Sequence, residues 1–401
     1  MLDGQNSAGE SAGASNRIPY WRLSIFYFFY FAVLGALVPF WSLYLQSIDY
    51  SAQEIGYVMA ALAISRIVAP NIWGWLADKT GQRLRIIRWG SCLAVLCFLG
   101  VFWQKSFAAM FAVVIAYSFF WNAVLAQFEV VTLDHLNEEP EQYSRIRLWG
   151  SVGFIVAVVL LGALFDAFSI ALLPLALLVL LLAIWVSSLT VSEAETSHHV
   201  AHGDQSAGES RFTDILKRRE VWVFFVASFF LQISHGAHYT FFSVLLEEQG
   251  YSSMVIGGLW ALGVLAEIIL FMYMPALLRL FGARLLFWAA LFSAAVRWLL
   301  TPLLVDFFIA LFLLQWLHAL TFGAAHAVSI EWVRRFFPSS SHGQGQALYT
   351  ALSFGAGGAL GAILCGYLWE ISAFWCFAFC AIAAFLGFVL SFWGMRKAKL
   401  D

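Results

Sequence analysis

Charge is scarce in this 401-residue chain: Asp, Glu, Lys and Arg together make up 11% of it, less than half of the roughly 25% usual in a soluble domain. A water-facing globular fold is thereby excluded. Neither sign dominates, with 24 acidic against 22 basic residues and a net charge of −2, so there is no basic footprint for nucleic acid. Cysteine is sparse as well. Cys92, Cys97, Cys365, Cys376 and Cys380 all fall inside apolar runs without metal-ligand spacing and read as free thiols, with no metal or cofactor implied. No polar block is long enough for a separate soluble domain, which argues against a receptor or scaffold. HExxH is missing too, and neither GxSxG nor clustered Asp motifs stand at a segment end, which argues against a membrane enzyme.

What the chain has instead is apolar length. It is 62% hydrophobic with a mean hydropathy of +0.81, and apolar runs recur from end to end, so lipid is the solvent for most of its surface. Breaks of charge, Gly or Pro divide it into twelve segments: 21–46, 54–76, 86–104, 107–134, 147–165, 169–191, 220–246, 254–278, 285–304, 307–331, 346–369 and 372–394. Open sheet edges cannot face hydrocarbon, so these segments are expected to be helices and the protein an all-α membrane protein. Residues 1–16, rich in Gly, Ser and Ala and without a basic n-region, read as a disordered tail rather than a cleaved signal. Of the 22 Lys and Arg, Lys105 lies on one side and Arg66 and Arg297 fall inside segments, while the others gather on the opposite side. The positive-inside bias then puts both termini in the cytoplasm.

The loop 192–219, with His198, His199 and His202, divides the chain into an N-terminal half, 17–191, and a C-terminal half, 220–395, followed by a tail, 396–401. An internal repeat supports the division. Gly74, Asp78, Gly81 and Arg83 recur in spacing as Pro275, Arg279, Gly282 and Arg284, 201 residues later, and Gly153, Gly162 and Asp166 recur as Gly357, Gly366 and Glu370 at an offset of 204. Two pseudo-symmetric six-helix bundles are the expected architecture, a plan used by carriers that rock around a central substrate.

The stretch Gly74-Trp75-Leu76-Ala77-Asp78-Lys79-Thr80-Gly81-Gln82-Arg83 resembles the signature after the second helix of the major facilitator superfamily. More specific stretches resemble the 3-phenylpropionate transporter family: Val38-Pro39-Phe40-Trp41-Ser42, Tyr143 to Phe154, Gly258 to Ile268, Val296-Arg297-Trp298 and Leu317 to Gly323. A more distant resemblance is to lactose permease-like symporters, whose helix-4 glutamate and helix-5 arginine are matched by Glu129 and Arg147, eighteen residues apart. Arg297 and His318 match the helix-9 arginine and helix-10 histidine of that pattern. The chain departs from it at Thr321, where those symporters place a proton-carrying carboxylate.

An ionisable group near the bilayer centre costs about 2.5–3.5 kcal/mol even on insertion scales and is expected to face the bundle interior with a partner. Arg66 and Glu267 stand at equivalent points of the repeat with opposite charge, which suggests an ion pair between halves and a gating role for Arg66. Glu267 is the leading proton carrier, with Arg297 and His318 as coupling partners. Arg147, Glu129, Arg297 and His318, with the aromatic Tyr30 and Trp260, are the candidate substrate contacts. Gly74, Asp78, Gly81 and Arg83 are candidate conformational residues, Asp78 through hydrogen bonds to the start of a neighbouring helix. His235 and His238 share a helix face with Gln232, and His318 shares one with Gln315; a metal site from the first pair has no third ligand in reach.

The reading that follows is a secondary transporter of the bacterial inner membrane, acting as a monomer and importing a small organic anion such as an aromatic acid together with protons. Its rivals are an oligosaccharide or nucleoside symporter, favoured by Glu129 and Arg147, and a drug or metabolite exporter, disfavoured by the lack of proline in Gly150–Asp166.

Overall fold

The computed structural model describes residues 18–103, 106–136, 139, 141–193, 212–338 and 341–396. The tail 1–16, most of the loop 192–219 with its three histidines, Lys105 and the last five residues lie outside that set.

Helices account for the twelve expected spans: α1 Tyr20–Ser47, α2 Ala52–Thr80, α3 Arg83–Phe102, α4 Phe107–Leu136, α5 Gln142–Ala167, α6 Ile170–Leu189 and α7 Arg219–Glu248. They continue with α8 and α9, which run together as Ser253–Leu303, then α10 Phe308–Phe336, α11 His342–Trp369 and α12 Ala373–Met395. A short turn, Phe212–Leu216, precedes α7.

Several helices overrun the apolar segments that announce them, because apolarity marks where lipid begins while the backbone ladder runs on to a cap. Thus α2 begins behind Ser51, whose hydroxyl accepts from Glu54 N at 3.3 Å while the Glu54 carboxylate accepts from Ser51 N at 2.9 Å, a reciprocal cap. It ends four residues beyond the apolar run, at Gly81 with φ 66°. Helix α5 starts at Gln142, five residues early, which places Arg147 inside the helix rather than at its tip.

Between α8 and α9 there is no loop. Gly282 alone turns the chain, at φ 74° and ψ 156°, a region essentially reserved for glycine. Gly81 and Gly282, repeat equivalents 201 residues apart, are thus both held at positive φ. Two further irregularities are π-helical stretches, Ala319–Ala324 in α10 and Ala351–Gly357 in α11; such bulges concentrate at functional sites.

Helices α1 to α6 form one bundle and α7 to α12 the other. They meet mainly along two seams, α2 against α11 and α5 against α8, with α1 against α7 beside them. Glycine lets these backbones approach. A Cβ on Gly56 would lie 2.7 Å from Ala362 O, on Gly366 2.8 Å from Ala52 O, on Gly162 2.6 Å from Ser253 O and on Gly257 2.3 Å from Val158 O.

All five cysteines are free thiols. Sγ of Cys365 and Sγ of Cys380 lie 3.5 Å apart in the packed contact between α11 and α12.

Candidate functional site

In the C-terminal half the polar core is built around His318, near the end of the regular part of α10. Arg297 of α9 is fully buried. Its guanidinium donates to Nδ1 of His318 at 3.0 Å, to Thr321 Oγ1 at 3.1 Å and to Gln315 Oε1 at 2.8 Å, and it lies over the Trp298 ring. Because a guanidinium only donates, Nδ1 must be the accepting nitrogen and the neutral imidazole carries its proton on Nε2. That Nε2 stands 3.2 Å from Oε1 of Glu267. The contact is off-line, so Oε1 has no hydrogen-bond partner among the described residues. The threonine that departs from the lactose permease pattern has a definite task here: its hydroxyl takes one of the Arg297 donors.

Small residues make the room. A Cβ on Gly263 would meet the His318 ring at 3.2 Å, and one on Gly323 would come 3.5 Å from Cγ of Glu267.

In the N-terminal half Arg147 lies 3.8 Å from the centroid of Phe31 and 5.7 Å from that of Tyr27, an arrangement in which the ring face stabilises the cation. Tyr143 stands within electrostatic reach of Tyr27 and Glu129, and Tyr27 donates to Thr132 Oγ1 at 3.3 Å. Glu129 and Arg147 act on each other electrostatically but form no direct ion pair among the described residues. Arg147 also acts across the interface on Glu267 and on His326 of the other half.

The expected contact between Arg66 and Glu267 is absent: among the described residues Arg66 makes no ion pair, and Glu267 faces His318 instead. The reason lies in the symmetry. Positions related by the repeat occupy equivalent environments, and since α2 packs on α11 while α8 packs on α5, equivalent residues of α2 and α8 do not face one another. Arg66 acts on Tyr30 and Tyr117 of its own half and on Tyr239 of the other.

Of the two aromatic candidates, Tyr30 is buried in a stack with Phe26 and Trp121, and Trp260 stacks on His238 with its Nε1 donating to Ser243 at 2.9 Å. Both are packed inside their own halves. His235 Nδ1 donates to Leu231 O at 2.8 Å, and His238 lies between Trp260 and Trp298. Phe31 and His326 were not among the sequence candidates for the site. Phe31 belongs to an undifferentiated aromatic run, and His326 stands out only as one more intramembrane histidine.

At the loop after α2, Asp78 pairs with Arg83 at 2.6 Å, and Arg83 also donates to Gln127 Oε1 at 2.6 Å. The carboxylate therefore reaches a side chain and not the backbone of a helix start. Such a cap is found at the opposite end of the molecule. Asp166, ending α5, accepts from Ser253 N at 2.6 Å and Met254 N at 3.0 Å at the start of α8. Its repeat equivalent Glu370, ending α11, accepts from Gln53 Nε2 at 2.6 Å at the start of α2. With Tyr57 against Tyr367 at 2.5 Å and Gln46 to Glu248 at 3.5 Å, these hydrogen bonds latch the two halves at one end.

A pair of six-helix bundles latched at one end, with an ionisable group of one acting on those of the other, is the architecture of a membrane carrier. The chain belongs to the MFS_1 like family, which matches residues 20–379. It is 27% identical over 374 residues, 90% of this chain and 95% of the relative, to a probable 3-phenylpropionic acid transporter of Escherichia coli. It is 29% identical to a maltose permease of Geobacillus stearothermophilus, over 91% of this chain and 93% of the relative. Among solved structures, the nucleoside transporter NupG superposes with a TM-score of 0.77 at 18% identity, covering 95% of this chain and 99% of that one. An auto-inhibited POT family peptide transporter gives 0.69 at 13% identity, over 96% and 97% of the two chains. The protein is thus a multi-pass secondary transporter of a small molecule.

Proposed function

We propose that the chain imports a small organic anion, of the phenylpropionate type, together with protons, across the bacterial inner membrane as a monomer with both termini in the cytoplasm. The observation that carries this reading is the charge balance at mid-depth. Among the described residues that act on one another at the junction of the halves, Arg66, Arg147 and Arg297 are opposed by Glu129 and Glu267, so with both carboxylates ionised one positive charge remains. Uncompensated charge in this setting is costly, and an anion docking at Arg147, against Phe31 and Tyr27, supplies the balance while the rings accept an aromatic body.

Glu267 carries the proton in this scheme. Ionised, it competes with the substrate for the field of Arg147; protonated, it leaves that guanidinium to the substrate carboxylate. Proton and anion therefore favour each other's binding, which is the linkage symport requires. Alternating access proceeds by parting the Asp166 and Glu370 seams, which the positive-inside orientation puts on the external face.

A second reading, a neutral sugar or nucleoside as cargo, is favoured by the Glu129 and Arg147 spacing. Binding of 3-phenylpropionate and of its amide to the purified protein separates the two. The acid is expected to bind at least tenfold tighter than the amide, and Arg147→Lys to recover only part of that affinity, since a point charge lacks the paired donors. Equal binding of acid and amide, or binding of neutral sugars alone, overturns the anion reading.

A further inference from the structure

The π-helical stretch of α10 arranges three rings in a ladder. His318, Phe322 and His326 stack at centroid separations of 5.5 and 6.0 Å with interplanar angles of 1° and 8°. Phe354, from the π-helical stretch of α11, stands edge-on to both Phe322 and His326, and Tyr239 of α7 is edge-on to Phe322. This apolar frame fixes the His326 ring. Yet the ring makes no hydrogen bond among the described residues, and its Nδ1 is buried without a partner. Oε1 of Glu267, on the neighbouring α8, is likewise buried and meets only the off-line Nε2 of His318 at 3.2 Å, and the two groups act on each other and feel Arg147 across the interface.

A buried imidazole nitrogen with no partner and a carboxylate oxygen met only off-line are costly, and their shared deficit beside the same guanidinium indicates what is missing: a ligand group that both donates and accepts, a hydroxyl. Water could serve when the site is empty, but a substrate hydroxyl replaces it without loss only if placed at this point.

Resting on the anion reading above, we infer that His326 and Oε1 of Glu267 form a donor-selecting subsite opposite Arg147, and that the preferred cargo is a ring-hydroxylated aromatic acid. The carboxylate lies toward Arg147, the ring lies along Phe322, and the hydroxyl bonds the His326 ring, with Oε1 of Glu267 beside it. An acid without the hydroxyl leaves the His326 nitrogen without a partner. One net hydrogen bond corresponds to about a tenfold preference in affinity.

The test is equilibrium binding of 3-phenylpropionate and 3-(4-hydroxyphenyl)propionate to full-length protein in nanodiscs, for the wild type, His326→Phe and His326→Gln. The hydroxylated acid is expected to bind about tenfold tighter to the wild type. His326→Phe keeps the ring ladder and should bring the two acids to within twofold of each other. His326→Gln restores polar capacity at the position, so it should recover most of the preference and guards against a folding defect in the Phe variant. Equal binding of the two acids by the wild type, or a preference that survives in His326→Phe, overturns the subsite and leaves the anion reading standing. If only neutral nucleosides or sugars bind, the anion reading falls. The subsite is then upheld by a tenfold loss of their affinity in His326→Phe and overturned by none.

Discussion

Removing the Asp166 carboxylate should unlatch the end of the carrier at which it lies. The group accepts two backbone N–H bonds at the start of α8, where the helix's own Ser252 hydroxyl caps only Val255 N. A side-chain cap of this kind contributes about 1 kcal/mol, and a negative charge at a helix N-terminus about 0.5 kcal/mol more. The carboxylate is exposed, so water replaces part of what is lost and nothing further is added for its charge. Because α5 and α8 belong to different halves, the whole of this roughly 1.5 kcal/mol favours the latched state over the parted one. Asp166→Ala should therefore shift the population toward parting by roughly tenfold. Spin labels on Ser47→Cys, at the end of α1, and Gln249→Cys, just after α7, both exposed and in opposite halves, would report the separation by pulsed dipolar spectroscopy. Cys92 and Cys97 would first be replaced by Ser; the other three thiols are buried. Gly257→Ala is the positive control, since its Cβ would come 2.3 Å from Val158 O across the same seam. The long-distance population should grow in both variants. If it grows in Gly257→Ala and not in Asp166→Ala, the carboxylate does not hold the seam and the reasoning fails.

Glu267→Gln, mimicking the protonated acid, should abolish proton-driven accumulation in proteoliposomes yet permit exchange down a substrate gradient; accumulation that survives transfers the role to Glu129 or His318. Asp78→Asn should slow transport with binding nearly intact. The effect should be small, because the Asp78 and Arg83 side chains are 66% and 28% exposed and such pairs contribute about 0–1 kcal/mol. Arg83→Ala should slow transport further because it also loses Gln127, and an equal rate in the two variants would count against the tether. A cysteine at position 205 should resist impermeant maleimide added outside intact cells, and labelling there would reverse the topology.

The helices were legible because lipid leaves few solutions: twelve apolar runs of sufficient length become twelve helices, and the repeat in Gly, Asp and Arg positions reports the two bundles. What could not be read is which surfaces meet. Asp166 and Glu370 were visible as repeat markers, but their work as latches depends on α5 ending where α8 begins, a fact of packing between halves. Repeat symmetry pointed Glu267 at Arg66, whereas the partner at hand is His318, because symmetry transfers surroundings and not contacts. The tautomer of His318 follows from three donors on Arg297, and no pattern of residue types announces it. His326 escaped for a related reason: its significance lies in the hydrogen bond it does not make.

The single-residue corner at Gly282 bears on how motion is transmitted. With no slack between them, α8 and α9 swing as one lever, and Glu267 and Arg297 travel as passengers on it; α10 is fastened to that lever by the Arg297 bonds to His318, Thr321 and Gln315. No rocking of the bundles can then pull Glu267 away from these companions. The cation whose distance from Glu267 changes with each stroke is Arg147, on the opposite bundle. In the scheme proposed above, coupling is then confined to the gap between two rigid bodies, where each swing exchanges a guanidinium for either a proton or a passenger molecule.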